Sequence, residues 1–202
     1  MRIPCTAAAF ALTSALASAD ITAIGPFVGS LIDPLNAPGT TIVSSYDIFG
    51  GAGSLNSFDG KTTSIHYLLR DTFSGDLVTP RTGGHILGFT TGPATFVFDT
   101  PLVRFGAYFE NNSGEDDALV EFFGAGGALI GTATADTDAD LQDWTWNGWE
   151  SDVGIASIRV TGNGIIDGFL WFDDLQGDPI PAPLSVGVFV AGAIGIARRK
   201  RG

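Results

Sequence analysis

The most regular pattern in the chain is a two-residue alternation of apolar and polar side chains. Between residues 103 and 110, one set of alternate positions holds Val103, Phe105, Ala107 and Phe109, and the other holds Arg104, Gly106, Tyr108 and Glu110. The same alternation sets Ala156, Ile158 and Val160 against Ser157, Arg159 and Thr161. Successive side chains of a β-strand point to opposite sides of a sheet, so each segment predicts a strand with one buried and one wet face.

Turn residues recur at short intervals between residues 21 and 134, and no segment there shows a helical period. Short strands rich in β-branched and aromatic residues are predicted between these turns, at 40–49, 64–69, 85–91, 94–99, 117–123, 128–134 and 168–175. The glycine-rich segment 124–127 separates two of them as a hairpin turn. Many short strands at regular spacing predict an all-β fold, a two-sheet antiparallel β-sandwich of the jelly-roll type.

The first 19 residues have the pattern of a secretory signal peptide. Met1-Arg2 provides a charged start, residues 7–16 are apolar, and Ala17-Ser18-Ala19 is an A-x-A cleavage site. Signal peptidase is therefore expected to cut after Ala19. Cys5, the single cysteine, lies inside this peptide, so the mature protein is expected to contain neither a disulfide nor a thiolate metal site.

The last 24 residues form three consecutive segments: a proline-rich linker at 179–183, an apolar helix at 184–197 and a basic tail at 198–202. As a helix, the apolar run reaches roughly 21 Å, against a hydrocarbon core of about 30 Å, so it is a marginal transmembrane span. The four cations of the tail are expected to stay cytoplasmic, which places the rest of the chain outside. A buried C-terminal helix of a soluble domain is the alternative. The cations are Arg198, Arg199, Lys200 and Arg201.

This three-part tail resembles the PEP-CTERM sorting signal of bacterial surface proteins that are processed by an exosortase. The resemblance covers residues 180–201, and this chain has Pro181-Ala182-Pro183 where family members usually carry Pro-Glu-Pro. It implies recognition by an exosortase-like membrane protease, cleavage near Pro181, Ala182 and Pro183, and transfer of the domain to the cell surface or extracellular matrix.

Residues 20–178 are long enough for one domain with its own core. They contain all 22 acidic residues and only five of the ten basic ones, which gives a formal charge of −17. A surface of this charge repels phosphate groups, so nucleic acid is not expected as a partner.

The second half of this domain resembles the jelly-roll, carbohydrate-binding-module-like domains that are often found before PEP-CTERM tails. The resemblance rests on the hairpin around 124–127, the segment Trp146-Asn147-Gly148-Trp149, the strand 155–160 and the closing Phe172-Asp173-Asp174-Leu175. It implies a fold rather than a ligand.

Asp173 and Asp174 are the candidate metal ligands. Modules of the resembling kind often bind a structural Ca²⁺ with an aspartate of the final strand, and hard oxygen ligands suit that ion. Alternatively, both carboxylates are solvated at a strand end. A second candidate, the loop 136–140, has carboxylates at alternate positions but lacks the glycine and glutamate of an EF-hand.

Trp144, Trp146 and Trp149 are the candidate ligand-binding residues, since with Tyr108 they would form an aromatic platform for sugar rings. Trp144 and Trp146 share a face if this segment is a strand. The alternative is that these side chains fill the core, because tryptophan has the largest apolar area of any residue.

Catalytic motifs are missing from the sequence. The histidines are His66 and His85, and neither a Gly-x-Ser-x-Gly nor a His-Glu-x-x-His motif occurs. The expected function is an exported, non-enzymatic surface or extracellular-matrix protein with a structural or binding role and extracellular polysaccharide as its partner. A Ca²⁺-dependent carbohydrate-binding module and a small glycan hydrolase are the alternatives.

Overall fold

The computed structural model describes residues 19–36, 45–57, 69–70, 78–89, 92–111, 117–138, 143–162 and 170–181. Within these residues every regular element is a β-strand, and all strand pairs are antiparallel. The strands are β1 Ile21–Ala23, β2 Leu31–Asp33, β3 Ser45–Ile48, β4 Gly53–Ser57, β5 Leu69–Arg70, β6 Ile86–Phe89, β7 Ala94–Asn111, β8 Ala118–Phe123, β9 Leu129–Ala135, β10 Thr145–Gly162 and β11 Leu170–Pro179. The predicted all-β fold is confirmed.

Two strands, β7 and β10, are 18 residues long and run through both layers of the sandwich. Their halves 102–111 and 145–150 pair in one layer, and their halves 94–97 and 157–160 pair in the other. Sheet I has the order β5-β6-β11-β7-β10-β1, with β2 also on the free side of β11. Sheet II has the order β3-β4-β7-β10-β8-β9. The register shifts between Glu150 and Ser157 mark the bend that carries β10 from one sheet to the other.

The core lies between the sheets and is dominated by aromatic rings. Phe96 of sheet II meets Phe172 of sheet I at 5.1 Å, and Phe122 of sheet II meets Trp149 of sheet I at 5.4 Å between ring centroids. Edge-to-face pairs of this kind add to the burial of apolar area. The alternation predicted for residues 103–110 is confirmed at Phe105, Ala107 and Phe109, which are fully buried in this core, but Glu110, which was expected on the wet face, is fully buried as well.

The hairpin of β8 and β9 also forms as predicted, and Gly126 and Gly127 supply the positive φ angles of its turn, 84° and 78°. The predicted strand at 94–99 and the alternating segment after it, however, are one strand, β7. Pro101 stands at a change of pairing partner inside that strand, where it bends the chain without ending it. In a sequence pattern, a proline at this position indicates the end of a strand, which is why two strands were predicted where the structure has one.

Both ends of the described domain contact the same region, around β9 and the bend of β10. The Ala19 N–H donates to the Ile130 carbonyl at 3.0 Å, and the Asp20 N–H donates to Asp152 Oδ1 at 3.1 Å. At the other end β11 continues to Pro179, and the Ile180 N–H donates to the Pro101 carbonyl at 2.9 Å. The sheet thus includes the first residue of the expected linker 179–183.

The expected signal sequence up to residue 18, the apolar helix 184–197 and the basic tail 198–202 lie outside the described residues. Among the residues that are described, no helix is long and apolar enough to span a membrane.

Candidate functional site

The outer surfaces of the two sheets differ in what lies on them. The outer face of sheet I, called face I below, is crossed by two extended segments, 24–30 and 78–82. Backbone groups of the first segment donate to side chains of β11: Gly29 N–H to Gln176 Oε1 at 3.0 Å, and Ser30 N–H to Asp178 Oδ1 at 2.7 Å. These bonds hold the segment against the sheet.

Trp146 lies flat on face I under the first segment. Its Nε1–H donates to the Ile24 carbonyl at 3.1 Å, and its ring meets Phe27 at 5.8 Å and Tyr108 at 5.2 Å. Gly106, on the neighbouring strand, makes room for it, because a Cβ there would lie 2.5 Å from the indole ring. Trp146 is therefore half-buried, with its polar atom already bonded to protein.

Trp144 lies under the second segment, as part of a small apolar cluster outside the main core. The cluster is built on Val78, Ile86 and Trp171, which are fully buried, and Trp144 packs against it. The Nε1–H of Trp144 donates to the Thr79 carbonyl at 3.2 Å. Trp144, which lies just before β10, and Trp146, on β10, thus both lie on face I, and both are partly covered.

Trp149 is placed differently. It is 2% exposed, lies between the sheets and meets Phe109 at 5.9 Å and Phe122 at 5.4 Å. Its odd spacing from Trp146 turns it to the opposite side of β10. Trp149 therefore fills the core, which was the alternative considered for the tryptophans. The residues that remain available for the expected aromatic platform are Trp144, Trp146 and Tyr108.

Asp173 and Asp174 both bind the second covering segment. Asp173 is fully buried, and its Oδ2 accepts the N–H groups of Arg81 at 2.8 Å and Thr82 at 3.1 Å. Asp174 has a positive φ of 50° and pairs with the Arg81 guanidinium and the Thr82 hydroxyl. The positive φ, together with a register shift after Asp173, brings both carboxylates to one segment instead of to opposite faces.

These contacts give the two carboxylates protein partners in place of a metal ion. The remaining oxygen of Asp173 accepts the Asp174 N–H at 2.7 Å, and the Arg81 guanidinium supplies the positive charge. The described residues hold no group of three or more acidic, histidine or cysteine side chains placed to bind a metal. The assignment of Asp173 and Asp174 as calcium ligands stays a prediction.

The pKa values on face I reflect the balance between burial and hydrogen bonding. Burial raises the pKa of Asp173 to about 6, although the N–H groups of Thr82, Asp174 and Arg81 favour its charged form. For Asp178 the balance is reversed: burial acts to raise its pKa, but the Ser30 N–H and the Arg104 guanidinium hold the pKa below its usual value.

The outer face of sheet II, called face II below, is crossed by none of the described segments. It carries a shallow depression of about 400 Å³ that spans β4, β7, β10 and β8. Polar side chains on adjacent strands line it together with an exposed valine, a phenylalanine ring and a glycine. These residues are Asn56, Thr95, Ser157, Arg159, Val97, Phe123 and Gly127.

Arg159 is the charged residue that lines this depression. Its guanidinium carbon lies 5.2 Å from the centre of the Phe123 ring, and its Nη1 is 3.5 Å from Glu121 Oε2. The Arg159 side chain remains 42% exposed, so its N–H donors can reach a bound molecule. The positive charge of the Arg159 guanidinium and the negative charge of the Glu121 carboxylate largely cancel, so this part of face II is nearly neutral.

This set of groups suits a polyhydroxylated ligand. Amide, hydroxyl and guanidinium groups supply hydrogen-bond donors and acceptors across three strands, and Phe123 offers an apolar surface for the C–H side of a sugar ring. None of these residues is predicted from the sequence to contact a ligand. The alternation of Ser157 and Arg159 with buried neighbours shows that this side of the strand is wet, but does not show that it stays uncovered.

Comparisons with known proteins give a likeness of fold only. No protein-family model matches the chain, and no curated protein matches it. Among solved structures, CsCBM6-3 from Clostridium stercorarium in complex with cellobiose is 11% identical, with a TM-score of 0.36 over 62% of this chain and 93% of that module. A second family 6 carbohydrate-binding module, studied for its binding sub-sites, is 12% identical, with a TM-score of 0.34 over 64% and 95%. Neither carries a ligand or a site over to this chain.

Proposed function

We propose that this chain is an exported, non-enzymatic protein whose β-sandwich binds extracellular carbohydrate through face II. The observation that carries the proposal is the depression on that face, where Arg159, Ser157, Asn56 and the ring of Phe123 are all reachable from solvent. Face I holds more aromatic area, but its rings are engaged by the segments 24–30 and 78–82.

Binding of the full chain to a glycan array, in a detergent without a sugar head group, tests this proposal. Arg159→Ala and Phe123→Ala are expected to lower the affinity for any bound glycan by tenfold or more, since each removes a main contact. Val28→Ala, which truncates a residue that is 81% exposed outside face II, is the matched control and should leave binding unchanged. Retention of full affinity by both face II variants would refute the assignment.

The same samples separate this function from its alternatives. Binding that is lost on adding a chelator would favour the Ca²⁺-dependent module. Release of new reducing ends from a bound polysaccharide, abolished by a single acidic substitution, would favour the glycan hydrolase. The proposal expects neither result.

We also propose that the chain ends act as export and sorting signals. Signal peptidase would cut after Ala19, and an exosortase-like membrane protease would cut at Pro181, Ala182 or Pro183, placing the domain at the cell surface or in the extracellular matrix. The Asp20 N–H lies 3.1 Å from Asp152 Oδ1, so the ammonium group formed by cleavage after Ala19 would pair with that carboxylate, while the bond from the Ala19 N–H to the Ile130 carbonyl would be lost.

The intact mass of the protein recovered from its native cells tests both cleavages at once. A start at Asp20 and an end between residues 181 and 183 are expected. A mass that includes Arg198, Arg199, Lys200 and Arg201 would contradict the sorting proposal and leave the carbohydrate proposal in place.

A further inference from the structure

Face II carries a second depression, separate from the one around Arg159. Its volume is about 410 Å³, and it lies where β8, β9 and β10 approach the far end of the sheet. Leu119, which is 49% exposed, forms its apolar side, and Thr134 and Thr161 supply hydroxyl groups. It therefore resembles the first depression in combining an apolar side chain with hydroxyl groups, but it has the Asp117 carboxylate in place of the guanidinium and amide groups.

The two depressions are aligned along the same strands. Phe123 and Leu119 lie four residues apart on β8 and point to the same side, which separates them by about 13 Å. Between them runs a row of polar side chains, each the cross-strand partner of the next. The row is Asn56, Thr95, Arg159, Glu121 and Thr132. A ligand that uses both depressions must be longer than one sugar ring.

The charges of this surface argue against an acidic ligand. Glu121 stands 3.5 Å from Arg159, so the guanidinium offers no net positive charge, and Asp117 adds a carboxylate at the second depression. The whole domain carries −17, which repels polyanions at a distance. Neutral sugar hydroxyls meet no such penalty.

We infer that face II binds a neutral glycan chain several sugar units long, lying along β8 and β10 from Phe123 to Leu119. The inference rests on the proposed function and adds the ligand class and the direction of the chain. The region around Phe123 and Arg159 holds one part of the chain, and the region around Leu119, Thr134 and Thr161 holds another.

Calorimetric titration with oligosaccharide ladders tests this inference. The probes are neutral gluco-oligosaccharides of one to six units and, as the acidic counterpart, oligogalacturonides of the same lengths. Affinity for the neutral ladder is expected to rise at least tenfold from the shortest to the longest binding member, and the acidic ladder should bind more weakly at every length.

Leu119→Ala is the decisive variant. It should lower the affinity for long neutral chains three- to tenfold and leave that for the shortest binding member unchanged. Ile32→Ala is the matched control, because Ile32 is 51% exposed but lies on sheet I. Equal affinity for short and long chains, or tighter binding of the acidic ladder, would overturn this inference alone. Absence of binding to both ladders at every length and to the glycan array would overturn the proposed function with it.

Discussion

The outer faces of the two sheets are built from the same strands, β7 and β10, yet two segments cover face I and none of the segments that the structure describes crosses face II, which is called open below. Face I places Trp146, Tyr108 and Trp171 under chain segments, and glycines on the neighbouring strands make room for the rings. Face II carries threonine, serine, asparagine and arginine, with partly exposed apolar side chains between them. The face with the larger aromatic area is therefore the one on which the chain's own segments 24–30 and 78–82 pack.

The two faces differ in whether their polar groups already have hydrogen-bond partners within the protein. On face I the indole N–H groups of Trp144 and Trp146 donate to backbone carbonyls, and the carboxylates of Asp173 and Asp178 accept backbone N–H groups. These hydrogen bonds satisfy polar side chains of the sheet and backbone groups of the covering segments at the same time. On face II the polar side chains lie at the surface with water as the alternative partner, which a ligand can replace.

The largest expected effect comes from removing a ring from each face. Trp171→Ala should lower the free energy of unfolding by about 3 to 5 kcal/mol, because Trp171 is fully buried under the second covering segment. Phe123→Ala, its counterpart on face II, should cost about 1 kcal/mol, since its ring is only partly buried. Urea denaturation measures both. Equal losses would contradict the distinction between the covered and the open face.

A smaller effect is expected from a single methyl group on face I. In Gly106→Ala the new Cβ would lie 2.5 Å from the Trp146 ring, so the ring must move and weaken its bond to the Ile24 carbonyl. We expect a loss of about 1 to 3 kcal/mol and a changed tryptophan emission. Gly84→Ala is the matched control, because its Cβ would meet no atom within 4 Å. A Gly106→Ala protein that melts like Gly84→Ala would show that Trp146 does not lie against this strand.

The pH dependence of stability tests how Asp173 holds the second covering segment. Burial raises its pKa to about 6 from 3.8, so the folded state binds this proton more tightly than the unfolded chain does. The resulting contribution is complete below about pH 3.8 and is lost as the pH rises through about 6. Its size is about 2 to 3 kcal/mol.

Asp173→Asn removes this titration and keeps a side-chain carbonyl that can accept the N–H groups of the covering segment. The stability of the original protein relative to the variant should therefore fall between pH 4 and pH 7, as measured by urea denaturation at each pH. A difference that stays constant over this range would show that Asp173 does not titrate there.

The sequence predicted those parts of the molecule that depend on local patterns. Alternation gave the buried side of β7, and the glycines at 126 and 127 gave the hairpin, because both features are properties of a few adjacent residues. The covering of face I depends on contacts such as that of Arg81 with Asp174, which are 93 residues apart. A pattern of adjacent residues does not predict a contact between residues that are so far apart in the sequence.

The candidate site illustrates the same limit. Trp144 and Trp146 were recognisable as a pair on one face, but their spacing could not show that segments from residues 24–30 and 78–82 lie on them. Arg159 was recognisable as a wet position, but strands β4, β7 and β8 had to be placed beside it before a depression appeared. An open face is a property of the assembled fold.

The smallest expected effect concerns calcium at the edge of face I. Binding of an ion to the folded state alone would stabilise it by about 2.7 kcal/mol at a hundredfold excess over the dissociation constant. Because the Arg81 guanidinium and three backbone N–H groups already satisfy Asp173 and Asp174, adding Ca²⁺ or EDTA should shift the melting temperature by less than about 1 °C. A rise with Ca²⁺ that disappears in Asp174→Asn would mean that the ion displaces Arg81, and the second covering segment would then be held by the metal rather than by the protein.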